Sequence, residues 1–517
     1  MGQGDAQGQV EATAGQGRLR GERRRGVAVF RGVPFAAPPV GALRFAAPAP
    51  PPGWDGVRDA LAFGPACPQR ARPASGAPAS GSPGGGVFGG LFGPGGQPTS
   101  EDCLYLNVWT PGVDSRRRPV MVWLHGGAFR LGTGASAMYD GSALARRGDV
   151  VVVTFNYRLG VLGYLHVPEI GAVNLGLLDQ VAALECVRAN IGRFGGDPHQ
   201  VTVFGESAGA KSIECLLATP RAGGLFARAI VQSTYSLPLS PSAAEGTTAG
   251  VMGALGLPPR GAAGLRDVAL DDLLAAASGS GGLLAGGVSG PVVDGDIVTQ
   301  RPIDLLATGG APVPLVVGTN TDESRLFGAM MPGIADLTDE QLAEQVAATL
   351  PEGAPPAAEA IVRYRASLAA RGEPCRPADV SLAVSTDRMF RQHSIRLAEA
   401  QSTHQPVWMY LFDRKAAAMG GRLGACHAIE IPFVFGNLDG SAAPLVGDDP
   451  GAADLSARVQ RAWVAFAREG DPGHEDLPAW PRYDAERRAT MVFDHACHVT
   501  DAPLDDERRL WEGLSLP

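Results

Sequence analysis

The stretch VTVFGESAGAKS, residues 201–212, joins a run of β-branched residues to a small-residue helical pattern. At the join, Ser207 is the centre of a Gly-x-Ser-x-Gly motif. The chain contains 70 glycines, so the five-residue pattern arises easily by chance and its context must decide. A serine between a buried strand and a helix lies on the sharp turn that exposes a nucleophilic hydroxyl. The sequence therefore predicts a strand, a turn at Ser207 and a helix.

Six runs of continuous apolar residues predict strands. Continuous hydrophobicity, unlike alternation, indicates strands that are buried on both faces, as in a parallel sheet. The runs are residues 118–127, 149–158, 201–207, 227–233, 313–320 and 406–413, and helical periodicity covers residues 174–191, 207–219 and 455–469. Strands that alternate with helices favour an α/β fold with a mostly parallel, doubly wound sheet and helices on both faces.

The bulk composition favours a globular enzyme over a nucleic-acid or membrane protein. The 517 residues are 45% hydrophobic and 19% charged, with a net charge of −9. No run of apolar residues is long enough for a transmembrane helix, and the polar first residues show no signal peptide. We therefore expect a cytoplasmic protein that binds neither nucleic acid nor membrane, as a monomer or a small homo-oligomer.

One segment of unusual composition and the spacing of the cysteines lead to two further predictions. Residues 71–100 are rich in Gly, Pro, Ser and Ala, which predicts a long mobile loop rather than a linker between domains. The seven cysteines show no CxxC or Cys/His spacing typical of zinc, so no metal site is predicted.

A serine hydroxyl needs a base in hydrogen-bond reach and an acid that orients the base. The acid candidates are Asp322 and Glu323, directly after the run 313–320. The favoured base is His427, in a loop after the run 406–413. The alternatives are His495 and His498, which flank a terminal strand pattern.

The stretch WLHGGAF (residues 123–129), at the end of the run 118–127, predicts an oxyanion hole. Its successive backbone N–H groups carry little side-chain bulk, which suits the stabilisation of a tetrahedral oxyanion. Two N–H groups from this loop and the N–H of Ala208 would give three donors.

Long stretches of the chain resemble the type-B carboxylesterase family, which includes cholinesterases and bacterial p-nitrobenzyl esterases. They run in family order from about residue 20 to the end and include FRGVPFAAPPVGALRF (30–45), SEDCLYLNVWTP (100–111), WLHGGAF, FNYRLGVLGYL, VTVFGESAG, PVVDGDIV, GTNTDES and GACHAIEIPFVFGN. The resemblance implies an α/β-hydrolase fold in which residues 1–517 form a single catalytic domain. It also implies that no metal or organic cofactor is needed.

The resemblance assigns roles to individual residues. It implies Ser207 as nucleophile, Glu323 as acid and His427 as base, with Gly127, Ala128 and Ala208 as oxyanion donors. It further implies that Cys67 and Cys103 lie close enough to form a disulfide, although a cytoplasmic location would favour the reduced pair. It also implies ion pairs among Arg44, Glu101, Arg158 and Asp179, and a buried Glu206 beside the nucleophile.

The expected function is hydrolysis of small to medium apolar carboxylic esters through an acyl-enzyme. Candidate pocket residues are Phe129, Phe327, Met330, Met331 and Phe390. The loop between the two cysteines has no Trp or Tyr, and a choline ester, whose quaternary ammonium favours an aromatic face, is therefore disfavoured. The alternatives are an amide or carbamate hydrolase with the same triad and a non-catalytic binding module of the same fold.

Overall fold

The computed structural model describes residues 8–70, 93–235, 240–277, 290–309 and 311–515. Most of the segment predicted to be a mobile loop, residues 71–92, lies outside these ranges. Within them, no helix is long and apolar enough to cross a membrane.

The described chain builds one large, mostly parallel sheet. Its spatial order is β1-β2-β3-β5-β7-β6-β8-β9-β10-β11-β12-β13, and β4 pairs with β2. The strands are β1 Gln9–Ala14, β2 Gly17–Arg24, β3 Val27–Pro34, β4 Val57–Asp59, β5 Tyr105–Thr110, β6 Arg118–Leu124, β7 Val151–Phe155, β8 Gly196–Glu206, β9 Arg228–Gln232, β10 Leu315–Asn320, β11 Val407–Phe412, β12 Ala489–Phe493 and β13 His498–Asp501.

Strands β7, β6, β8, β9, β10, β11 and β12 pair in parallel. The two ends of the sheet are antiparallel, apart from the parallel pair of β2 and β4. The prediction of a mostly parallel sheet is confirmed, and all six predicted strands are present with shorter or shifted ends. The antiparallel N-terminal strands were not predicted.

The α-helices lie between and around the strands. They are α1 Ser142–Gly148, α2 Gly160–Tyr164, α3 Leu175–Asn190, α4 Ala208–Leu217, α5 Pro241–Ala254, α6 Leu270–Ala276, α7 Pro302–Ala307, α8 Arg325–Gly328, α9 Asp339–Thr349, α10 Ala357–Ala370, α11 Pro377–Thr386, α12 Gln392–Ser402, α13 Ile431–Phe435, α14 Ala443–Val446, α15 Ala452–Glu469 and α16 Asp505–Arg508. A π-helical turn, Asp387–Arg391, joins α11 to α12.

Alternate residues of β6 show why its sequence is apolar without a break. Val120, Val122 and Leu124 pack into one core with residues of α3, α4 and α12. Met121 and Trp123 pack into a second core with residues of α1, α13 and α15. Helices therefore cover both faces of the sheet, as the doubly wound prediction requires.

Parallel strands bring the predicted site residues to one edge of the sheet. Ser207 follows β8, Glu323 follows β10 and His427 lies in the loop after β11. The carboxyl ends of neighbouring parallel strands share one edge, where α/β proteins form their ligand sites.

Candidate active site

Ser207 occupies a strained turn between β8 and α4. Its backbone angles are φ 57° and ψ −118°, a conformation that L-residues rarely adopt. Its N–H donates to the Gln232 carbonyl on β9 at 2.9 Å. The residue is only 8% exposed. The structure thus confirms the predicted strand, turn and helix around Ser207.

Gly209 allows α4 to start directly against β6. A Cβ atom at this position would lie 1.9 Å from the Leu124 carbonyl oxygen. No side chain fits at that distance, so the helix can approach the strand only with glycine here. This close approach holds the first turn of α4 beneath Ser207.

The loop after β6 lies against the nucleophile turn. A Cβ atom on Gly126 would lie 2.5 Å from Glu206 Oε2 and 3.2 Å from Ser207 Cβ. The next residues, Gly127 and Ala128, both have positive φ, of 109° and 54°. Their backbone therefore turns sharply beside Ser207, where the sequence predicts oxyanion donors.

The three predicted donor groups are not used elsewhere among the described residues. There, the N–H groups of Gly127, Ala128 and Ala208 donate to no acceptor. The N–H of Ala208 belongs to the first turn of α4, where helices leave such donors unpaired. Backbone donors of this kind can stabilise an oxyanion.

His427 lies between two buried carboxylates. Its Nδ1 is 2.6 Å from Glu323 Oε2, and its Nε2 is 2.9 Å from Glu206 Oε1. The second Glu323 oxygen accepts the Asn320 N–H at 2.8 Å, which fixes the carboxylate. The imidazole is 1% exposed. The structure therefore brings His427 and Glu323 together at the nucleophile turn.

The other acid and base candidates lie apart from this contact. Asp322 accepts the Ala425 N–H at 3.0 Å and pairs with Arg325. His495 is exposed and lies 3.7 Å from Asp449, and His498 is exposed on β13. Of the two carboxylates in the Asp-Glu pair, only Glu323 contacts the His427 imidazole.

Two negative charges determine the electrostatics of His427. Burial alone would lower the pKa of its imidazole, but the charges of Glu206 and Glu323 and their hydrogen bonds raise that pKa to about 10. Burial in turn raises the pKa of Glu206, which the neighbouring imidazole partly offsets. The two carboxylates therefore stabilise the imidazolium that forms once His427 has accepted a proton, whereas the imidazole must be neutral before that step.

A third carboxylate, Glu430, was not assigned to the site from the sequence. Its two oxygens accept from Asn320 Nδ2 at 2.7 Å and from Gln232 Nε2 at 3.0 Å. Burial, with the negative charges of Glu206 and Glu323, raises the pKa of Glu430 to about 8. The signal in the sequence was an acidic residue inside the apolar run AIEIPFVF, three residues after His427.

Aromatic rings cover the imidazole. The Phe390 ring centre is 4.8 Å from that of His427, and the Phe327 ring centre is 5.1 Å away. The two phenylalanines stack on each other at 6.0 Å. These two predicted pocket residues therefore lie at the base itself.

The other three predicted pocket residues do not all lie in the interior. Phe129 is fully buried and packs on Tyr164. Met330 is partly buried, and Met331 is 56% exposed. Their role as pocket walls stays a prediction.

The residues matched to family ion pairs are paired as predicted. Arg44 Nε donates to Glu101 at 2.7 Å, and Arg158 makes two side-chain bonds to Asp179, at 2.8 and 2.7 Å. Both members of the second pair are at most 3% exposed.

Cys67 and Cys103 are buried neighbours in this structure. Both are free thiols, and a hydrogen bond from the Cys103 thiol to Cys67, together with burial, raises the pKa of Cys103. Their contact is compatible with a bridge, which stays a prediction. Within the described ranges, no group of three or more His, Cys, Asp or Glu side chains is placed to hold a metal ion.

Known proteins resemble this chain over nearly its whole length. The model of the carboxylesterase family matches residues 7–511. A para-nitrobenzyl esterase of Bacillus subtilis (strain 168) is 39% identical over 508 residues, which cover 96% of this chain and 97% of that protein. A phenmedipham hydrolase of Pseudarthrobacter oxydans is 36% identical over 505 residues, which cover 93% of this chain and 94% of that protein.

Solved structures agree with the sequence comparison. The Geobacillus stearothermophilus carboxylesterase EST55 at pH 6.2 has a TM-score of 0.84 and 40% identity, covering 97% of this chain and 100% of the other. Together, the family match, the shared architecture and the Gly-x-Ser-x-Gly turn identify the fold as that of the α/β-hydrolases. The chain therefore belongs to the carboxylesterase family of ester hydrolases.

Proposed function

We propose that the protein hydrolyses carboxylic esters with small to medium apolar acyl groups and alkyl or aryl alcohol groups, through an acyl-enzyme on Ser207. The observation that carries this proposal is the position of His427. Its Nδ1 contacts Glu323, and its Nε2 edge faces the carboxylate of Glu206, the residue that precedes Ser207.

The mechanism follows from these contacts. Ser207 Oγ attacks the ester carbonyl and gives its proton to His427 Nε2, while Glu323 stabilises the imidazolium through Nδ1–H. The N–H groups of Gly127, Ala128 and Ala208 stabilise the oxyanion. The imidazolium then protonates the leaving alcohol, and water attacks the acyl-enzyme with His427 again as base.

Apolar substrates fit the surroundings of the base. Phe327 and Phe390 present aromatic rings at the His427 imidazole, and Phe129 is buried on the loop that carries the proposed oxyanion donors. Such rings lower the free energy of an apolar acyl or aryl group that leaves water.

A second candidate is a carbamate or amide hydrolase that uses the same triad. The likeness to phenmedipham hydrolase favours a carbamate in particular. A non-catalytic binding module is disfavoured, because the chain retains Ser207, Glu323 and His427. These residues follow β8, β10 and β11 at one edge of the sheet.

Hydrolysis of p-nitrophenyl butyrate by the wild type and by Ser207→Ala tests the proposal. Loss of the nucleophile is expected to lower kcat by about 10⁴-fold or more. If Ser207→Ala keeps the wild-type rate, the nucleophile assignment is wrong. Parallel assays with an aryl carbamate of the same alcohol distinguish the two candidate substrate classes.

A further inference from the structure

A second buried polar cluster lies beside the proposed active site. Lys211 Nζ is 2.5 Å from Glu214 Oε2 and 3.1 Å from His393 Nε2. His393 Nε2 is also 3.2 Å from Glu214 Oε2, and the Thr234 hydroxyl donates to the other Glu214 oxygen. His393 is 7% exposed, and the other three residues have no exposed surface.

The cluster joins three elements that also build the active site. Lys211 lies one turn after Ser207 on α4, and its N–H donates to the Ser207 carbonyl at 2.9 Å. Thr234 follows β9, two residues after Gln232, which accepts the Ser207 N–H. His393 lies on α12, three residues after Phe390. Phe390 lies in the π-helical turn before α12, and its ring packs on Tyr235, the residue after Thr234, at 6.2 Å between ring centres.

Charges at this depth are not explained by stability alone. Moving Lys211 and Glu214 out of water carries a large desolvation cost, and well-packed apolar side chains of similar volume often stabilise a fold equally well. The positive charge of Lys211 and hydrogen bonds from the cluster outweigh burial and hold the pKa of Glu214 at about 2. Burial and the Lys211 charge lower the pKa of His393. The cluster is thus an ion pair with a neutral imidazole.

A hydrogen bond fixes the orientation of the side chains that it joins, whereas apolar packing does not. In one tautomer of the neutral imidazole, His393 Nε2 accepts a hydrogen bond from the Lys211 ammonium on α4, and in the other its Nε2–H donates to the Glu214 carboxylate on the same helix. The segment before His393 is the π-helical turn Asp387–Arg391, an irregular element that recurs at functional sites. Arg391 in that turn pairs with Glu507 on its other side.

We propose that Lys211, Glu214 and His393 are positioning residues that hold Phe390 against His427, and that they thereby set the acyl-group preference of the enzyme. Phe390 is the ring that contacts both the imidazole and Phe327. A shift of α12 relative to α4 moves this ring and changes both the pocket wall and the packing of the base. The inference rests on the proposed function, because it uses the same pocket.

The test compares p-nitrophenyl acetate with p-nitrophenyl hexanoate. The double variant Lys211→Met/Glu214→Leu removes both charges and leaves no buried ion unpaired. We expect kcat to fall on the order of tenfold and the hexanoate-to-acetate ratio of kcat/KM to change severalfold, as small displacements at an active site do. The melting temperature is measured alongside.

Two variants of His393 keep the test decisive if the double variant does not fold. His393→Leu leaves the Lys211–Glu214 pair intact but cuts the link to α12, and we expect it to change the same ratio. His393→Gln offers an amide oxygen to Lys211 Nζ and is expected to restore most of the wild-type ratio. Phe390→Ala alone is expected to change the hexanoate-to-acetate ratio of kcat/KM. Adding Lys211→Met/Glu214→Leu to this variant is expected to change the ratio little further.

The chain offers a matched control on the same helix. Arg488 pairs with Glu399 near the other end of α12, away from the proposed site. The variant Arg488→Met/Glu399→Leu is expected to keep the wild-type ratio, whatever its melting temperature. A merely structural cluster would lower the melting temperature without changing the ratio.

Wild-type kcat and ratio in His393→Leu would overturn the inference, and so would an equal change in the Arg488 control. Ser207→Ala, assayed with both esters, serves as the blank. Full activity of Ser207→Ala would overturn the proposed function instead, so the two failures are distinguishable.

Discussion

The Nδ1 atom of His427 lies 2.6 Å from Oε2 of Glu323, and both side chains are almost fully excluded from solvent. A carboxylate there orients the imidazole and stabilises its positive charge in the transition state. Glu323→Gln keeps the shape but removes the charge, so we expect kcat for p-nitrophenyl butyrate to fall by about 10³–10⁴-fold.

The neighbouring carboxylate gives the control. Asp322→Asn changes a side chain that bonds to Ala425 and Arg325 rather than to His427. This variant is expected to keep kcat within about tenfold of the wild type. A larger loss in Asp322→Asn than in Glu323→Gln would exchange the two roles.

Glu206 is expected to control the pH dependence. The base must be neutral to accept the Ser207 proton, and the negative charge of Glu206 raises the pKa of His427. Activity should therefore rise with pH as His427 loses its proton. Glu206→Gln lowers the pKa of His427 and moves the rising limb of the kcat/KM profile to lower pH.

Glu430→Gln is the matched comparison for the pH experiment. Glu430 bonds to Asn320 and Gln232 rather than to His427, whose pKa is raised by Glu206 and Glu323. Its substitution should therefore shift the rising limb less than Glu206→Gln does. A limb that fails to move in Glu206→Gln would contradict the electrostatic role of Glu206.

Gly126→Ala is expected to lower the activity of the enzyme. The added Cβ would lie 2.5 Å from Glu206 Oε2 and 2.9 Å from the Glu206 carbonyl oxygen, so the loop or the nucleophile turn must move. We expect kcat to fall on the order of 100-fold, measured with p-nitrophenyl butyrate.

Gly246→Ala controls for the loss of a glycine. A Cβ at this position in α5 meets no atom within 4 Å. Alanine there should raise the free energy of unfolding by about 0.5–1 kcal/mol in denaturant titration and leave kcat unchanged. Equal activity of the Gly126 and Gly246 variants would show that the loop tolerates displacement.

Thiol counting decides whether Cys67 and Cys103 form a disulfide. Counting under denaturing conditions, with and without prior reduction, should give five and seven thiols if the bridge forms in the isolated protein. Seven in both states would show that the pair stays reduced. The double variant Cys67→Ala/Cys103→Ala, with five thiols in both states, calibrates the count.

The sequence predicted the parts of the fold that depend on local pattern. Strand β6 could be recognised because both of its faces are buried, which makes its hydrophobicity continuous. Strand β2, with the sequence GRLRGERR, carries too many charged residues for such a signal and depends on its antiparallel partners.

The residues of the candidate site likewise fall into those that a local pattern predicted and those that it did not. Ser207 stands in a local motif, and its neighbours in the chain show the turn. The choice of Glu323 over Asp322 came from family likeness, because adjacent carboxylates differ only in the direction that the backbone gives them. The contacts of Lys211 with His393 and of Glu430 with Asn320 and Gln232 join residues far apart in the chain, so no local pattern could predict them.

The backbone of Ser207 also limits how stable this protein can become. Its φ of 57° and ψ of −118° suit glycine better than serine, at a cost of about 1–3 kcal/mol. The fold thus tolerates a local weakness at the residue that the chemistry needs. Attempts to make the protein more heat-resistant should leave this turn unchanged and seek their gains at distant, unstrained positions.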